Sequence, residues 1–306
     1  VGAVFTCDAP DLAPLRAVMK MHARLGIRET LLGPEELREM EPAISVERIA
    51  AGCYEPDGGY ADPALAAKSF SEAAAREGAA VMRRTRVTGL RLDGGRVAGV
   101  ITDKGEISTR AVVMAAGPWT PEVAGSAGVR IPIYATRHPV VILQRPVTWR
   151  GKTPVWVDLA EGWYYKPEQQ VGLMVGSIHN MGEEERVDIE THATTPSYEE
   201  IEAYSEAALR RFPVLEEGMA QGGWAGLYDM TPDSQPVIDR VPGVAGLFCA
   251  AGFSGHGFKL GPAVGVAVAE MVMEGASRTY DMSPFRFERF EEGKLTRGAY
   301  EYGIIG

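Results

Sequence analysis

The hydrophobic pattern changes period several times along the chain. Between residues 8 and 25, Leu12, Leu15, Val18, Met19 and Leu25 recur at helical spacing and Gly26 follows as a C-cap, so a helix is predicted there. Gly33-Pro34-Glu35-Glu36 opens a short second helix carrying Leu37 and Met40. It stops before Pro42, because the residue preceding a proline is pushed out of the helical region. Asp62-Pro63 starts a third: Asp62 can cap free N–H groups, Pro63 suits the first helical position, and the helix should run through Leu65, Phe70 and Ala74 to Gly78. The period then drops towards two. Stretches 87–92 and 97–102 flank Asp93-Gly94-Gly95, a hairpin on turn chemistry alone. After the turn at Asp103-Lys104-Gly105, the near-continuous apolar run 111–117 reads as a strand buried on both faces.

Residues 131–181 have a different texture. Short β-rich runs at 140–143, 156–159, 163–166 and 171–175 are separated by Pro and Gly, which predicts an antiparallel sheet. Ser197-Tyr198-Glu199-Glu200 is a capping box for a helix reaching Phe212. A second buried strand, 246–252, leads into the glycine-rich stretch 253–261, after which Pro262 opens a helix through Val264, Val268 and Met271 to Gly275. There is no internal repeat and no low-complexity tract. Helices alternating with a meander and buried strands, beside an antiparallel layer, define an α/β fold.

Charge and cysteine usage remove whole classes. The 41 acidic and 31 basic residues give −10, with no dense Lys/Arg block, so no nucleic-acid partner is expected. The longest apolar runs, 244–252 and 262–273, fall short of the ~20 residues of a membrane span. Cys7, Cys53 and Cys249 are odd in number, far apart and form no CxxC, so neither a disulfide framework nor a zinc site is indicated. With no basic-then-apolar leader, a cytoplasmic location is expected. His22, His138, His179, His192 and His256 show no His-x-x-x-His spacing, and the acidic stretch 183–190 lacks fixed ligand spacing, so no metal is expected.

The most informative stretch is the strand–loop–helix at 246–275. Gly252, Gly255, Gly257 and Gly261 let the backbone bend sharply and approach a flat or anionic group, which the loop delivers to a helix N-terminus. His256 and Lys259 add a titratable group and a cation. Spacing alone fits a ligand-free strand–helix connection equally well. Leu260 stands where a Gly-x-Gly-x-x-Gly would need its third glycine. Pro146 stands where a P-loop ending in Gly151-Lys152-Thr153 would need its first. Gly252-Phe253-Ser254-Gly255 is one residue short of a nucleophile elbow, which argues against a hydrolase using Ser254.

Five segments, taken in order, carry a resemblance: Gly58-Gly-Tyr-Ala-Asp-Pro63, Val87, Ala115-Ala-Gly-Pro-Trp119, Trp224-Ala-Gly-Leu-Tyr-Asp-Met-Thr-Pro-Asp233 and Ala250-Ala-Gly-Phe-Ser-Gly-His-Gly-Phe-Lys259. Nearly the whole chain resembles the FAD-dependent amine and amino-acid oxidoreductases of the D-amino-acid oxidase family. It is most similar to their sarcosine oxidase β-subunit and dimethylglycine dehydrogenase branch. The resemblance implies a glutathione-reductase-like FAD domain (60–131 and 225–306) interleaved with an antiparallel-sheet substrate domain (1–59 and 132–224). It implies FAD contacts at Val87, Ala116, Gly117, Trp119 and Gly226, and along the loop Gly252, Phe253, Ser254, Gly255, His256, Gly257, Phe258 and Lys259. Loop amides would face the flavin pyrimidine oxygen, where reduced flavin carries charge. Lys259 would hold a substrate carboxylate, with His256, Tyr164 and Tyr165 as further catalytic candidates. For His256 the role is open between bracing the loop and modulating amine protonation, and for the tyrosines between facing substrate and packing the sheet. Arg137-His138 is either a contact for an acidic substrate or an exposed strand pair.

Departures from the family pattern refine these expectations. Gly226 stands where monomeric sarcosine oxidases carry the cysteine that tethers FAD, so non-covalent FAD is expected. Tyr228 replaces a carboxylate-binding arginine of glycine and D-amino-acid oxidases, and Met174 an oxygen-activating lysine. A dehydrogenase passing electrons to an acceptor or partner subunit, or at best a slow oxidase, is therefore expected. Its reaction would be hydride transfer from the C–N bond of a secondary or N-methylated amino acid such as sarcosine, dimethylglycine or proline. The family's first βαβ unit, which anchors the pyrophosphate, has no match, since 1–28 already resembles the family's substrate-domain region downstream of that unit. The alternative is therefore a non-catalytic fragment or subunit that cannot hold FAD without a nucleotide-binding segment.

Overall fold

The computed structural model describes residues 1–149, 151–168, 171–179 and 186–296. Residues 183–185 of the acidic stretch lie outside these. The chain begins with β1 (Ala3–Cys7), α1 (Leu12–Arg24), β2 (Thr30–Leu32), α2 (Pro34–Met40), β3 (Ala51–Glu55) and α3 (Pro63–Arg76). There follow β4 (Val87–Asp93), β5 (Arg96–Thr102), β6 (Gly105–Ser108), β7 (Val112–Met114), a 3-10 turn Gly117–Trp119 and α4 (Thr120–Gly125). The middle holds β8 (Tyr134–Gln144), β9 (Val155–Asp158), β10 (Trp163–Glu168), β11 (Gly172–Ser177) and α5 (Tyr198–Arg211). Then come β12 (Met219–Met230), β13 (Val237–Arg240), β14 (Leu247–Ala251) and α6 (Gly257–Glu274). The local signals act as expected where chemistry is explicit. Asp62 accepts from Leu65 N, Ser197 and Glu200 close their capping box, and Gly94 and Gly95 both take positive φ in the β4–β5 turn.

Eight strands form one mixed sheet in the order β2-β3-β1-β9-β10-β11-β8-β12, antiparallel throughout except for β1 beside β9. Alternation sorts its side chains. Val141, Leu143, Tyr165, Leu173 and Val175 enter a core with Leu37 of α2 and Tyr204, Ala208 and Phe212 at α5. Phe5, Cys53, Val157 and Tyr164 point the other way, where Leu15 and Met19 of α1 cover one end. A second core lies between the sheets β13-β14-β7 and β4-β5-β6, with Val97, Met114, Val237, Leu247 and Cys249 at its centre. Among the described residues no helix is long and apolar enough to cross a membrane.

Two expectations are corrected. The run 111–117 yields only three strand residues, and β7 is the edge of its sheet with Val113 38% exposed, so it is not buried on both faces. The last helix begins at Gly257, not Pro262: the turn 257–261 is already helical, and the missing N–H of Pro262 falls inside it. The strand β12 passes through 224 and 225, so one strand would belong to both of the domains that the resemblance implies. Apolar surface is left open on α3, which buries no residue and exposes Leu65 and Phe70, and on α6, which exposes Phe258, Val266 and Met273.

Candidate active site

The parallel strands β7 and β14 end side by side, Met114 opposite Cys249. Each then turns through glycine: Gly117 at φ 52° opens the 3-10 turn, and Gly252 at φ 75° opens the loop to α6. The space outside the carboxyl ends of such strands is where α/β sheets bind nucleotides. The loop is held in a high-energy backbone shape. Ser254, a non-glycine at φ 48°, is fully buried, and a Cβ on Gly252 would lie 2.4 Å from Thr231 Cγ2.

The end of β12 fixes this shape. Gly252 N donates to Asp229 Oδ2 at 2.6 Å, Ser254 N to Asp229 O at 3.0 Å, and Thr231 N to Ser254 Oγ at 3.2 Å. Burial raises the Asp229 carboxyl above its ordinary range, against the pull of the backbone N–H groups of Gly252, Asp229 itself and Phe253. One strand thus ties the glycine loop to the eight-stranded sheet. His256 Nδ1 lies 3.0 Å from Phe253 O, and burial, then the neighbouring Lys259, lowers its pKa. Lys259 sits in the exposed first turn of α6, its pKa lowered by the protein packed around it. First-turn N–H groups of a helix have no intrahelical acceptor, so this end favours partial negative charge.

Register sorts the side chains of the large sheet. Tyr228 pairs with Thr136, Gly226 with His138, Gly176 with Tyr164 and Met174 with Lys166, which puts all eight on one face. The Tyr164 ring lies over Gly176, where a Cβ would meet Tyr164 Cζ at 2.1 Å. His138 stacks on Tyr228 at 3.9 Å and shares a 2.8 Å hydrogen bond with Thr136 Oγ1. Lys166 is ion-paired with Glu168 and lies over the Tyr60 ring. A Cβ on Gly226 would meet nothing within 4 Å. Trp119 is exposed and donates to Glu190, and its turn packs against β12. Val87 opens β4 in the third sheet, and its neighbour Arg86 lies 3.7 Å from Glu190, the acceptor of Trp119.

Two candidates are corrected. Adjacent residues of a strand face opposite ways, so Tyr164 and Tyr165 cannot work as a pair. Tyr165 is buried in the α5-facing core and donates to Ala207 O at 3.1 Å. Arg137 likewise points to the helix side, gripping Glu200 and the carbonyls of Ala193 and Thr195, whereas His138 belongs to the site face. Sequence reasoning does not single out Asp229 or Thr136. Only the position of Asp229 inside the 224–233 segment could have pointed to it.

Burial lowers the His138 pKa from 6.5 to about 4. The ring is therefore neutral in the folded state while the unfolded chain protonates near 6.5. Stability should fall as pH drops from 6.5 towards 4, by up to about 3 kcal/mol. In urea titrations across that window, His138→Phe should flatten this slope.

Two parallel strands ending side by side, a strained glycine loop entering a helix, and an aromatic sheet face together fit a nucleotide-cofactor protein with a small-molecule site. Comparison with known proteins specifies it. The model of the family described as FAD dependent oxidoreductase matches residues 1–271, and the chain belongs to that family. Human mitochondrial sarcosine dehydrogenase is 29% identical over 297 residues, covering 94% of this chain and 32% of that protein. Sarcosine oxidase subunit beta of Rhizobium meliloti is 29% identical over 286 residues, covering 90% and 64% respectively. The chain thus spans about one third to just under two thirds of the length of these relatives. Among solved structures, L-proline dehydrogenase from P. horikoshii superposes with a TM-score of 0.88 at 30% identity, covering 97% of this chain and 78% of that one. Glycine oxidase from Geobacillus kaustophilus gives 0.79 at 26%, covering 94% and 74%.

Proposed function

We propose that this chain carries the flavin-ring and substrate half of an enzyme oxidising the C–N bond of a secondary or N-methylated amino acid, with FAD held non-covalently. The observation that carries the reading is the junction in which Asp229, at the end of β12, ties the 252–257 loop to the strand that also carries Tyr228 and pairs with the strand of His138. FAD, when bound, supplies the hydride acceptor. Loop and helix-end amides would hold the ring's polar edge by preorganised donors. Lys259 would meet the substrate carboxylate, and Tyr164 and the His138–Tyr228 stack would exclude water around the amine. A neutral His138 next to the site suits an amine that enters uncharged. Open space at Gly226 leaves room for the cofactor without a covalent link.

The substrate layer comprises the eight-stranded sheet and the cofactor layer the two small sheets with α6. Met174 offers no charge to a reduced oxygen species, and the neighbouring Lys166 is neutralised by Glu168. Electrons would therefore pass to an acceptor other than oxygen, through a partner subunit. Three buried thiols, each raised in pKa by burial, suit a reducing compartment such as the cytoplasm. Purified protein should show flavin absorbance that bleaches anaerobically with sarcosine, dimethylglycine or proline and returns faster with an artificial acceptor than with air. Protein that stays colourless with added FAD would overturn the reading.

A second reading has its own support. The apolar surfaces of α3, β7 and α6 are those of elements that pack against something more. A nucleotide-binding segment beyond these residues would cover them, and the 306 residues alone would then be a fragment unable to retain FAD. FAD retention by a longer chain and not by this one would favour it.

A further inference from the structure

Gly176 of β11 and Tyr164 of β10 stand opposite each other in the large sheet, on the face that also carries His138 and Tyr228. A Cβ on Gly176 would lie 2.1 Å from Tyr164 Cζ and 2.3 Å from both Cε1 and Oη. The outer half of the ring is therefore laid across the glycine, whereas strand side chains ordinarily stand roughly perpendicular to the sheet. The backbone at Gly176 does not have positive φ, so its conformation does not call for glycine; the ring above it does. No hydrogen bond to the Tyr164 hydroxyl is made among the described residues, so contact alone sets the pose. The ring packs on the cluster of Val157 and Ile178, and burial raises its pKa, which keeps the phenol neutral.

Non-bonded carbons rest about 3.5–4.0 Å apart. An alanine at position 176 would thus drive the ring away from the sheet by roughly 1.5 Å. Sliding sideways offers little relief, because Val140, opposite Gly176 on β8, and Met174, two residues along β11, are each only 9% exposed. The free face of a neutral aromatic ring suits an apolar group. In sarcosine, dimethylglycine and proline the apolar groups next to the amine are N-methyls and ring methylenes. Room for one methylene more or less in a pocket changes affinity about 10- to 200-fold, so a shift of this size is enough to select among them.

We propose that Gly176 is a positioning residue that sets substrate specificity: by letting Tyr164 lie low, it keeps open the space that takes the N-alkyl group of the amino acid. This rests on the function proposed above and adds to it the residue that decides how large that group can be.

The test is calorimetric titration of the full chain, with FAD supplied, against sarcosine, dimethylglycine and N-ethylglycine. Gly176→Ala should weaken dimethylglycine about tenfold more than sarcosine. In flavin reduction it should raise KM and leave the limiting rate within about twofold, a split that general damage to the fold would not give. Tyr164→Ala deepens the space instead, and should improve N-ethylglycine relative to sarcosine about tenfold. In that background Gly176→Ala should change all three affinities by less than about twofold, because the ring it displaces is gone. The proposal is overturned if Gly176→Ala weakens the ligands equally, or if its effect survives in Tyr164→Ala. It is overturned too if Tyr164→Ala leaves the N-ethylglycine preference unchanged, which is measurable whether or not Gly176→Ala folds. A parent chain that binds none of the three overturns the functional reading and this proposal together, whereas lost discrimination in a chain that binds sarcosine overturns this proposal alone.

Discussion

Asp229→Ala is expected to slow flavin reduction by about 100-fold, the effect of removing charge-assisted hydrogen bonds worth ~1.5–3 kcal/mol each from a strained loop. The carboxylate holds Gly252 N, and its own carbonyl holds Ser254 N, where φ is positive and the side chain is sealed from solvent. Without the carboxylate the loop relaxes and its amides lose their aim. Anaerobic stopped-flow reduction by substrate, with circular dichroism to verify folding, measures this. Asp229→Asn keeps the shape but weakens the acceptor, so its loss should be smaller. The pH sign comes from burial, which puts the folded-state pKa above the unfolded one. Ionising Asp229 therefore disfavours folding, and stability falls as pH rises from the ordinary carboxylate range through the raised value. Asp229→Asn should remove that slope. If reduction by Asp229→Ala matched the parent chain, the loop would not depend on this anchor.

Arg289→Met should cost about 3–5 kcal/mol of stability, the usual penalty for stranding one half of a buried ion pair. Arg289 grips Asp233 through Nε at 2.8 Å and Nη2 at 2.9 Å, and both side chains are almost wholly buried. Arg289 also donates to Gln235 O at 2.7 Å, while Asp233 accepts from Thr296 N and shares a hydrogen bond with Thr231 Oγ1. The pair so fastens the C-terminal 3-10 turn Phe287–Arg289 over the corner that leaves β12. Burial alone would raise the Asp233 pKa, but Arg289 and the backbone N–H groups hold it below its ordinary value. Its contribution is complete above the unfolded carboxylate range and is lost as pH falls through the lower folded value. Urea midpoints for Arg289→Met and the parent chain, well apart near neutral pH, should converge in acid. An unchanged midpoint at neutral pH would count against the pair as a clasp.

What the sequence made legible was local chemistry. Asp62, Ser197 with Glu200, and Gly94-Gly95 each declare a cap or a turn within four residues, and α3, α5 and the β4–β5 hairpin appear where those residues place them. Family resemblance then located the glycine loop and the 224–233 segment, which share one junction here. Long-range pairing was not legible. β1 and β3 carry no turn signal of their own, and their places depend on partners more than forty residues away. Site membership failed where it hinged on the parity of a strand. Tyr164 and Tyr165, or Arg137 and His138, are indistinguishable until register decides which of the two faces the junction. Proline misled in α6 because a helix start and an interior kink look alike in sequence.

The parallel pairing of β1 with β9 has a kinetic consequence. Residues 3–6 hydrogen-bond alongside 155–158, so the middle of the large sheet cannot close until residues 155–158 have emerged and returned to β1. Until then β1, β2 and β3 would form a small antiparallel unit whose β1 edge is unpaired and open to the wrong neighbour. Contacts so distant along the chain make a slow nucleus and a long-lived sticky intermediate. During synthesis, β1 must wait for β9 before it is locked in place.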